Sequence, residues 1–214
     1  MISSIILAAG ESRRVGKLKQ LLPFGNSTII ETVIDTLLSA KLDEVIVILG
    51  HAAEKITEKI KHKPVKIICN SDYKRGMLTS VQCGVLAVNK ITDGSAFDPD
   101  RVGAGKSRDG FLIALVDQPF LTPNLINNLI EEFYRTDKCI VLPTYKERRG
   151  HPVIFDIKYA SEILALSEDS EGLREVIRKH QDDIHKVPVN TDSIIRDIDY
   201  WEDYIRETNI LDSQ

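Results

Sequence analysis

The chain has 214 residues, of which 43% are hydrophobic and 28% are charged, as is usual for a soluble folded protein. A chain of this length is expected to form a single domain over residues 1–214 and to bury roughly 70% of its unfolded surface, which excludes a disordered chain, a collagen-like repeat and a small disulfide scaffold. The formal charge of −4 argues against nonspecific binding to nucleic acid or to membrane surfaces, so an anionic ligand requires a local cluster of cations.

Strands and helices alternate along the first part of the chain. The strands are short apolar runs rich in β-branched residues, and the helices carry apolar residues at a spacing of three and four. This pattern predicts a strand at 5–8, a helix at 28–40, a strand at 44–49, a helix at 53–61, a strand at 65–69 and a helix at 78–88.

The polar segment 92–110 interrupts this alternation, since it contains four glycines, a proline and no apolar period. It predicts a flexible surface loop, read either as a tolerated insertion or as a lid over a site. After it we expect a strand at 111–116, a helix at 125–133 capped by Thr122 and Pro123, strands at 139–142 and 152–155, helices near 159–166 and 171–179, and a terminal helix around 202–208. The alternation indicates the α/β class, with a Rossmann-like three-layer α/β/α arrangement around a mainly parallel sheet.

Hydropathy, the N-terminal segment and the cysteines bear on the cellular compartment of the protein. No run approaches the ~20 apolar residues of a membrane span, and the start MISSIILAAG lacks the basic residues of a secretory signal. The cysteines Cys69, Cys83 and Cys139 are odd in number, far apart and without a CxxC pair. We expect them to be small buried residues in a reducing cytoplasm rather than disulfides or zinc ligands.

The loop after the first predicted strand concentrates glycine and positive charge. Residues 11–20 contain four cations and one acid, and Gly10 and Gly16 let the backbone approach a ligand. Ligands of open parallel sheets bind at the carboxyl ends of the strands, and cations there neutralise phosphate oxygens. The loop therefore predicts phosphate binding, with a solvated basic loop as the alternative.

Two common phosphate-binding loops do not match this segment. A Walker A loop has four residues between its glycines, whereas five separate Gly10 from Gly16, and Leu18 has no hydroxyl for a metal ion. The dinucleotide motif GxGxxG is absent as well, which disfavours a dehydrogenase.

The segment does match LAAGxSxRxGxxK at every fixed position, namely Leu7, Ala8, Ala9, Gly10, Ser12, Arg14, Gly16 and Lys19. It resembles the signature loop of the MobA-like nucleotidyltransferases. The resemblance is closest to the molybdenum cofactor cytidylyltransferase branch, because the guanylyltransferase branch usually has a second glycine in place of Ala9. The segments NSDYKRGMLTSVQCG, LVDQPFLTP, GHPVIF and DIDYWEDY resemble further family motifs. The chain departs from the family at Val15, where methionine or phenylalanine is common. It also departs at Tyr200-Trp201, where a small residue and a proline are more usual.

The resemblance implies a fold like that of the nucleotide-diphospho-sugar transferases and assigns three sets of residues. Nucleotide binding falls to Leu7, Ala8, Ala9, Gly10, Ser12, Gly16, Asn70, Gly76, Met77 and Ser80. Acceptor binding falls to Gln118, Pro119, His151 and Arg174, and a second metal ligand to Asp199, with Asp197 as its competitor.

Asp117 is the first candidate metal ligand, because it ends an apolar strand at the ligand-binding edge of the sheet. Mg²⁺ is commonly held by one or two carboxylates together with phosphate oxygens of the substrate. The alternative is an ordinary turn or capping residue. Together with Arg14 and Lys19, which would neutralise charge on a leaving pyrophosphate, Asp117 completes the candidate catalytic set.

These residues predict an Mg²⁺-dependent transfer of CMP from CTP to the phosphate of molybdopterin. One alternative keeps the fold and changes the substrate, to GTP with molybdopterin or to a sugar 1-phosphate. Another is a nucleotide-binding accessory protein of molybdenum hydroxylases that has lost catalysis. The resemblance also implies transient contact with a molybdoenzyme or its chaperone.

Overall fold

A computed structural model describes residues 1–91 and 108–212 of the chain. Its strands are β1 (Ile2–Leu7), β2 (Pro23–Phe24), β3 (Ser27–Thr28), β4 (Glu44–Leu49), β5 (Lys66–Cys69), β6 (Gly110–Leu115), β7 (Ile140–Tyr145), β8 (Arg148–Arg149), β9 (Val153–Asp156) and β10 (Ile184–Pro188). Its helices are α1 (Ile29–Leu38), α2 (Ala53–Ile60), α3 (Met77–Ile91), α4 (Pro123–Arg135), α5 (Ala160–Leu164), α6 (Leu173–Lys179) and α7 (Trp201–Asp212).

One sheet forms the centre, with the strands in the order β10-β7-β9-β6-β1-β4-β5 and with β8 paired to β7. The pairs β1–β4, β1–β6, β4–β5 and β7–β10 are parallel. Strand β9 lies antiparallel between β6 and β7. The mainly parallel sheet expected from the sequence is therefore confirmed.

Helices cover both faces of the sheet, because alternate residues of each strand point to opposite sides. Ile2 and Ile6 of β1 belong to the core that contains α1, α2, α4 and α7. Ile5 and Leu7 belong to the core that contains α3, α5 and α6. These two cores make the three-layer α/β/α arrangement.

Strand pairing brings three chain segments to one edge of the sheet. Leu7 pairs with Leu115, so the loops that follow β1 and β6 leave the sheet side by side. Val153 pairs with Ile113, so the start of β9 lies at the same edge. Candidate residues from positions 8–20, 117–119 and 150–152 therefore meet there.

Most predicted elements are present, with shifted ends. The first strand begins at Ile2 rather than at position 5. The sequence pattern placed its start too late because Ser3 and Ser4, which are buried in the strand, interrupt the apolar run. The helix expected at 159–166 is a 3-10 turn followed by the short α5. The predicted cap of α4 is correct, since Thr122 Oγ1 accepts a hydrogen bond from the Leu125 amide.

Two further expectations need correction or stay open. Cys69 is exposed rather than buried, because it ends β5, the edge strand of the sheet. Gly110, assigned to the polar loop, is the first residue of β6, and the loop prediction for 92–107 lies outside the described residues. Among the residues that the structure describes, no helix is long and apolar enough to cross a membrane. The cytoplasmic location stays a prediction.

Candidate active site

The loop after β1 is braced from within by Gln20. Its buried amide Nε2 donates to the carbonyls of Ala8 (3.0 Å) and Gly10 (2.9 Å), and its Oε1 accepts from Ser12 Oγ (3.2 Å). Ser12 Oγ also accepts from the Lys19 amide, which closes the loop on itself. Ser12 and Gly16 both have positive φ, at 55° and 72°. The loop is thus held in shape by hydrogen bonds among its own residues.

Lys19 brings together two carboxylates that are far apart in the sequence. Its buried ammonium Nζ lies 3.0 Å from Asp117 Oδ2 and 3.4 Å from Asp199 Oδ1, and it donates to the Ile198 carbonyl at 2.8 Å. Arg14 reaches the other oxygen of Asp199 at 3.0 Å. Every residue of the predicted catalytic and metal set therefore lies in one cluster.

This cluster fits a hard divalent cation. Asp117 Oδ1 is buried without a hydrogen-bond partner, so one carboxylate oxygen remains to bind a cation. Asp199 keeps 39% of its side chain exposed. No group of three or more protein ligands occurs within residues 1–91 and 108–212. Asp117 and Asp199 are the residues that would hold such a cation.

Asp197 lies close enough to be affected by the same charges. Burial raises the pKa of Asp197, and the neighbouring Asp199 and Asp117 raise it further against the opposing effect of Lys19. The structure favours Asp199 over Asp197 as the second candidate metal ligand, because Asp199 contacts Arg14 and Lys19 directly.

The cluster lies in a cleft of about 380 Å³. Among the predicted residues, those that line it are Leu7, Ala9, Gly10, Ser12, Arg14, Lys19, Gly76, Met77, Ser80, Asp117 and Asp199. The predicted residues Ala8, Gly16 and Asn70 do not line it. The buried Asn70 acts from behind the wall, where its Nδ2 donates to Ser80 Oγ and to Thr79 Oγ1, both at 2.9 Å.

Sequence reasoning missed several residues of this cleft: Glu11, Arg13, Gln20, Tyr73, Leu115 and Val116. Most stand beside a predicted residue, so their positions in the quoted motifs were the available signal. Gln20 directly follows the last fixed position of the loop motif, and nothing in its type or spacing indicates its internal hydrogen bonds.

A second cavity of about 860 Å³ adjoins the cleft, and Leu7, Gly76, Met77 and Leu115 line both. Its walls are largely apolar, with contributions from Ile113, Leu142, Val153, Phe155, Leu173 and Ile177. Of the predicted acceptor residues, His151 and Arg174 line this cavity. Gln118 and Pro119 line neither cavity, and Gln118 is buried.

The cations of the second cavity differ in their partners. Arg75 pairs with Glu168, Arg178 pairs with Glu171 at 3.2 Å, and Arg149 donates to Gln181 at 2.7 Å. Within the described part of the chain, Arg174 has no carboxylate within ion-pair distance. Arg174 is therefore the cation of this cavity that is most available to an anionic ligand.

The surroundings of His151 disfavour its charged form. Burial lowers the pKa of His151, Asp117 partly opposes that effect, and the nearby Arg174 lowers the pKa further. A neutral imidazole can donate one hydrogen bond and accept another, which suits recognition of a polar ring edge.

Residues 4–184 match the family model described as the MobA-like NTP transferase domain. The chain belongs to this family. It is 27% identical to the molybdenum cofactor cytidylyltransferase of Escherichia coli K12, over 95% of this chain and 94% of that protein. It is 25% identical to the nicotine blue oxidoreductase of Paenarthrobacter nicotinovorans, over 96% and 95%.

Among solved structures, Rv0371c from Mycobacterium tuberculosis H37Rv has a TM-score of 0.78 at 25% identity and covers 97% of both chains. These similarities confirm the predicted family and a fold of the nucleotide-diphospho-sugar transferase type. They place the chain among nucleotidyltransferases.

Proposed function

We propose that the protein transfers CMP from CTP to the terminal phosphate of molybdopterin and releases pyrophosphate, with Mg²⁺ as its cofactor. The observation that carries this proposal is the meeting of Lys19, Arg14, Asp117 and Asp199 in one cleft beside a larger cavity. Support for the substrates comes from the full-length similarity to a molybdenum cofactor cytidylyltransferase and from Ala9 in the loop.

The triphosphate lies against the loop of residues 10–19 in this proposal. Arg14 and Lys19 neutralise the charge that grows on the departing pyrophosphate, and amides of the braced loop donate to phosphate oxygens. The base lies over Ala9 and Gly10, near Ser80. Because Gln20 fixes the loop beforehand, little order has to be gained when the nucleotide binds.

Asp117 and Asp199 hold the divalent cation, which when bound supplies positive charge to the phosphate oxygens at the reaction centre. Before binding, Lys19 compensates the charge of both carboxylates. In the reaction an oxygen of the acceptor phosphate forms a bond to the α-phosphorus of CTP. The bond between that phosphorus and the bridging oxygen to the β-phosphate breaks, and pyrophosphate leaves with the electron pair.

The second cavity receives the acceptor. Its apolar walls suit a flat ring system, which loses few hydrogen bonds to water on burial. Arg174 and His151 provide a charge and a hydrogen-bonding edge for the polar groups of the ring. The cavity and the cleft adjoin at Met77 and Leu115, so that the phosphate of an acceptor bound in the cavity can reach the cleft.

Pyrophosphate release tests the proposal. The wild-type protein is assayed with CTP, GTP and UTP, each with molybdopterin or with a sugar 1-phosphate, and with Mg²⁺ present or removed by chelation. We expect release with CTP, molybdopterin and Mg²⁺. Asp117→Asn should lower the rate on the order of 10²–10³-fold, whereas Asp35→Asn, a change at an exposed ion pair, should not.

Three results would contradict the proposal in distinct ways. Faster release with GTP than with CTP overturns the cytidylyl assignment. Binding of CTP without release under any condition indicates an accessory protein that has lost catalysis. Oxidoreductase activity in place of pyrophosphate release would favour the activity that names the Paenarthrobacter relative.

A further inference from the structure

Tyr200, which precedes α7, and Trp201, the first residue of α7, lie with their rings against the loop of residues 10–19, called the phosphate loop below. The Lys17 ammonium lies 4.4 Å from the ring centroid of Trp201, and the Arg14 guanidinium carbon lies 5.6 Å from that of Tyr200. Such cation–ring contacts are attractive because the ring faces carry negative charge density. Both rings directly follow Asp199 in the chain.

We propose that Tyr200 and Trp201 are positioning residues that hold Asp199 at the metal site by fastening α7 to the phosphate loop. The inference rests on the proposed function for the role of Asp199. It assigns a role to Tyr200 and Trp201, two of the three positions at which the sequence departs from the usual motif.

The residue before Asp199 is fixed by its fully buried side chain and by two hydrogen bonds of its backbone. The Ile198 amide donates to the Asp117 carbonyl at 2.9 Å, and the Ile198 carbonyl accepts from Lys19. These bonds fix the chain just before Asp199. The side chain of Asp199 contacts Arg14 and Lys19, and the two aromatic residues after it contact Arg14 and Lys17 of the same loop.

Asp203 and the aromatic pair anchor the chain on the other side of Asp199. Asp203 Oδ2 accepts from the amides of Asp199 (3.2 Å) and Tyr200 (2.9 Å), which sets the start of α7. Trp201 contacts Tyr204 at a centroid distance of 5.1 Å, and the Tyr204 hydroxyl donates to the Pro23 carbonyl at 2.9 Å. The Trp201 ring therefore lies between Lys17 of the loop and Tyr204, which is itself hydrogen-bonded to Pro23.

Binding of Mn²⁺ in the presence of CTP, followed by electron paramagnetic resonance, tests this role without relying on turnover. The variant Tyr200→Leu/Trp201→Leu should bind Mn²⁺ about tenfold more weakly, as the loss of two cation–ring contacts allows. The conservative Tyr200→Phe/Trp201→Phe should stay close to wild type, since its rings remain. Ile205→Ala, an exposed apolar change on the same helix, serves as the matched control and should have no effect.

A double-mutant cycle separates positioning from general support of the fold. In an Asp199→Asn background the leucine pair should cause no further loss of Mn²⁺ affinity, because the ligand that it positions is already gone. An equal loss in both backgrounds overturns the inference, and so does a lower melting temperature with unchanged Mn²⁺ affinity.

The single tryptophan of the sequence provides an independent readout. Addition of CTP should change the emission of Trp201 in a saturable way, and Lys17→Ala should remove most of that change. A CTP-bound protein with unaltered emission contradicts contact between the ring and the loop.

The outcomes also distinguish this inference from the proposed function. Normal pyrophosphate release without coupling in the cycle leaves the function intact and overturns the positioning role. Full coupling without pyrophosphate release supports the positioning role and overturns the function.

Discussion

The nucleotide cleft and the acceptor cavity share a wall but are built differently. The cleft is small and crowded with paired charges, in which Lys19 alone contacts two carboxylates and a carbonyl. The cavity has more than twice its volume, and most of its lining is apolar. In the proposed function, the cleft determines the reaction and the cavity determines which acceptor enters.

Their origins in the chain differ as well. One continuous stretch, residues 7–20, supplies much of the cleft, whereas the cavity takes its walls from segments near 75–81, 113–115, 142–155 and 168–181. A change in the cleft should therefore affect turnover with every acceptor. A change in the cavity should alter KM for the acceptor and leave KM for the nucleotide unchanged.

The largest effect is expected at Lys19. Replacing it with methionine keeps the bulk of the side chain but removes the charge shared by Asp117 and Asp199 and the donor to the leaving pyrophosphate. We expect kcat to fall on the order of 10²–10³-fold with any acceptor. Steady-state pyrophosphate release measures it, with Lys41→Met at an exposed ion pair as control. Unchanged kcat would remove Lys19 from the catalytic set.

An intermediate effect is expected at Arg174 in the cavity. Its replacement with alanine should raise KM for the acceptor about tenfold, as expected for the loss of one charged hydrogen bond, and leave KM for the nucleotide unchanged. Arg178→Ala is the matched control, because Arg178 lies in the same helix and is already paired with Glu171. An equal rise of both KM values would mean that the two sites are not separate.

The same contrast explains what the sequence could predict. The cleft loop was predictable because its glycines and cations are adjacent, and Asp117 because it ends an apolar strand. The contacts of Lys19 with Asp117 and Asp199 span 98 and 180 residues, so only strand pairing and the return of the chain at α7 bring them together. Gln118 and Pro119 were predicted from a motif, yet the turn after β6 keeps them from lining either cavity. Their acceptor role stays a prediction.

The smallest effect is a pH dependence that belongs to the cavity. Because burial holds the pKa of His151 below its usual 6.5, the folded state takes up a proton less readily than the unfolded state. The contribution of neutral His151 to stability should therefore be fully present above about pH 6.5 and should decrease as the pH falls below it.

His151→Gln removes this linkage, so the melting temperature of the variant should fall less than that of the wild type between pH 7.5 and 5.5. Each kcal/mol corresponds to about 2–4 °C for a chain of this size, and calorimetry resolves such a difference. His62→Gln, at an exposed histidine, should follow the wild type. Parallel curves for wild type and His151→Gln would show that the imidazole is not held neutral, and the cavity would then present a pH-dependent charge to its acceptor.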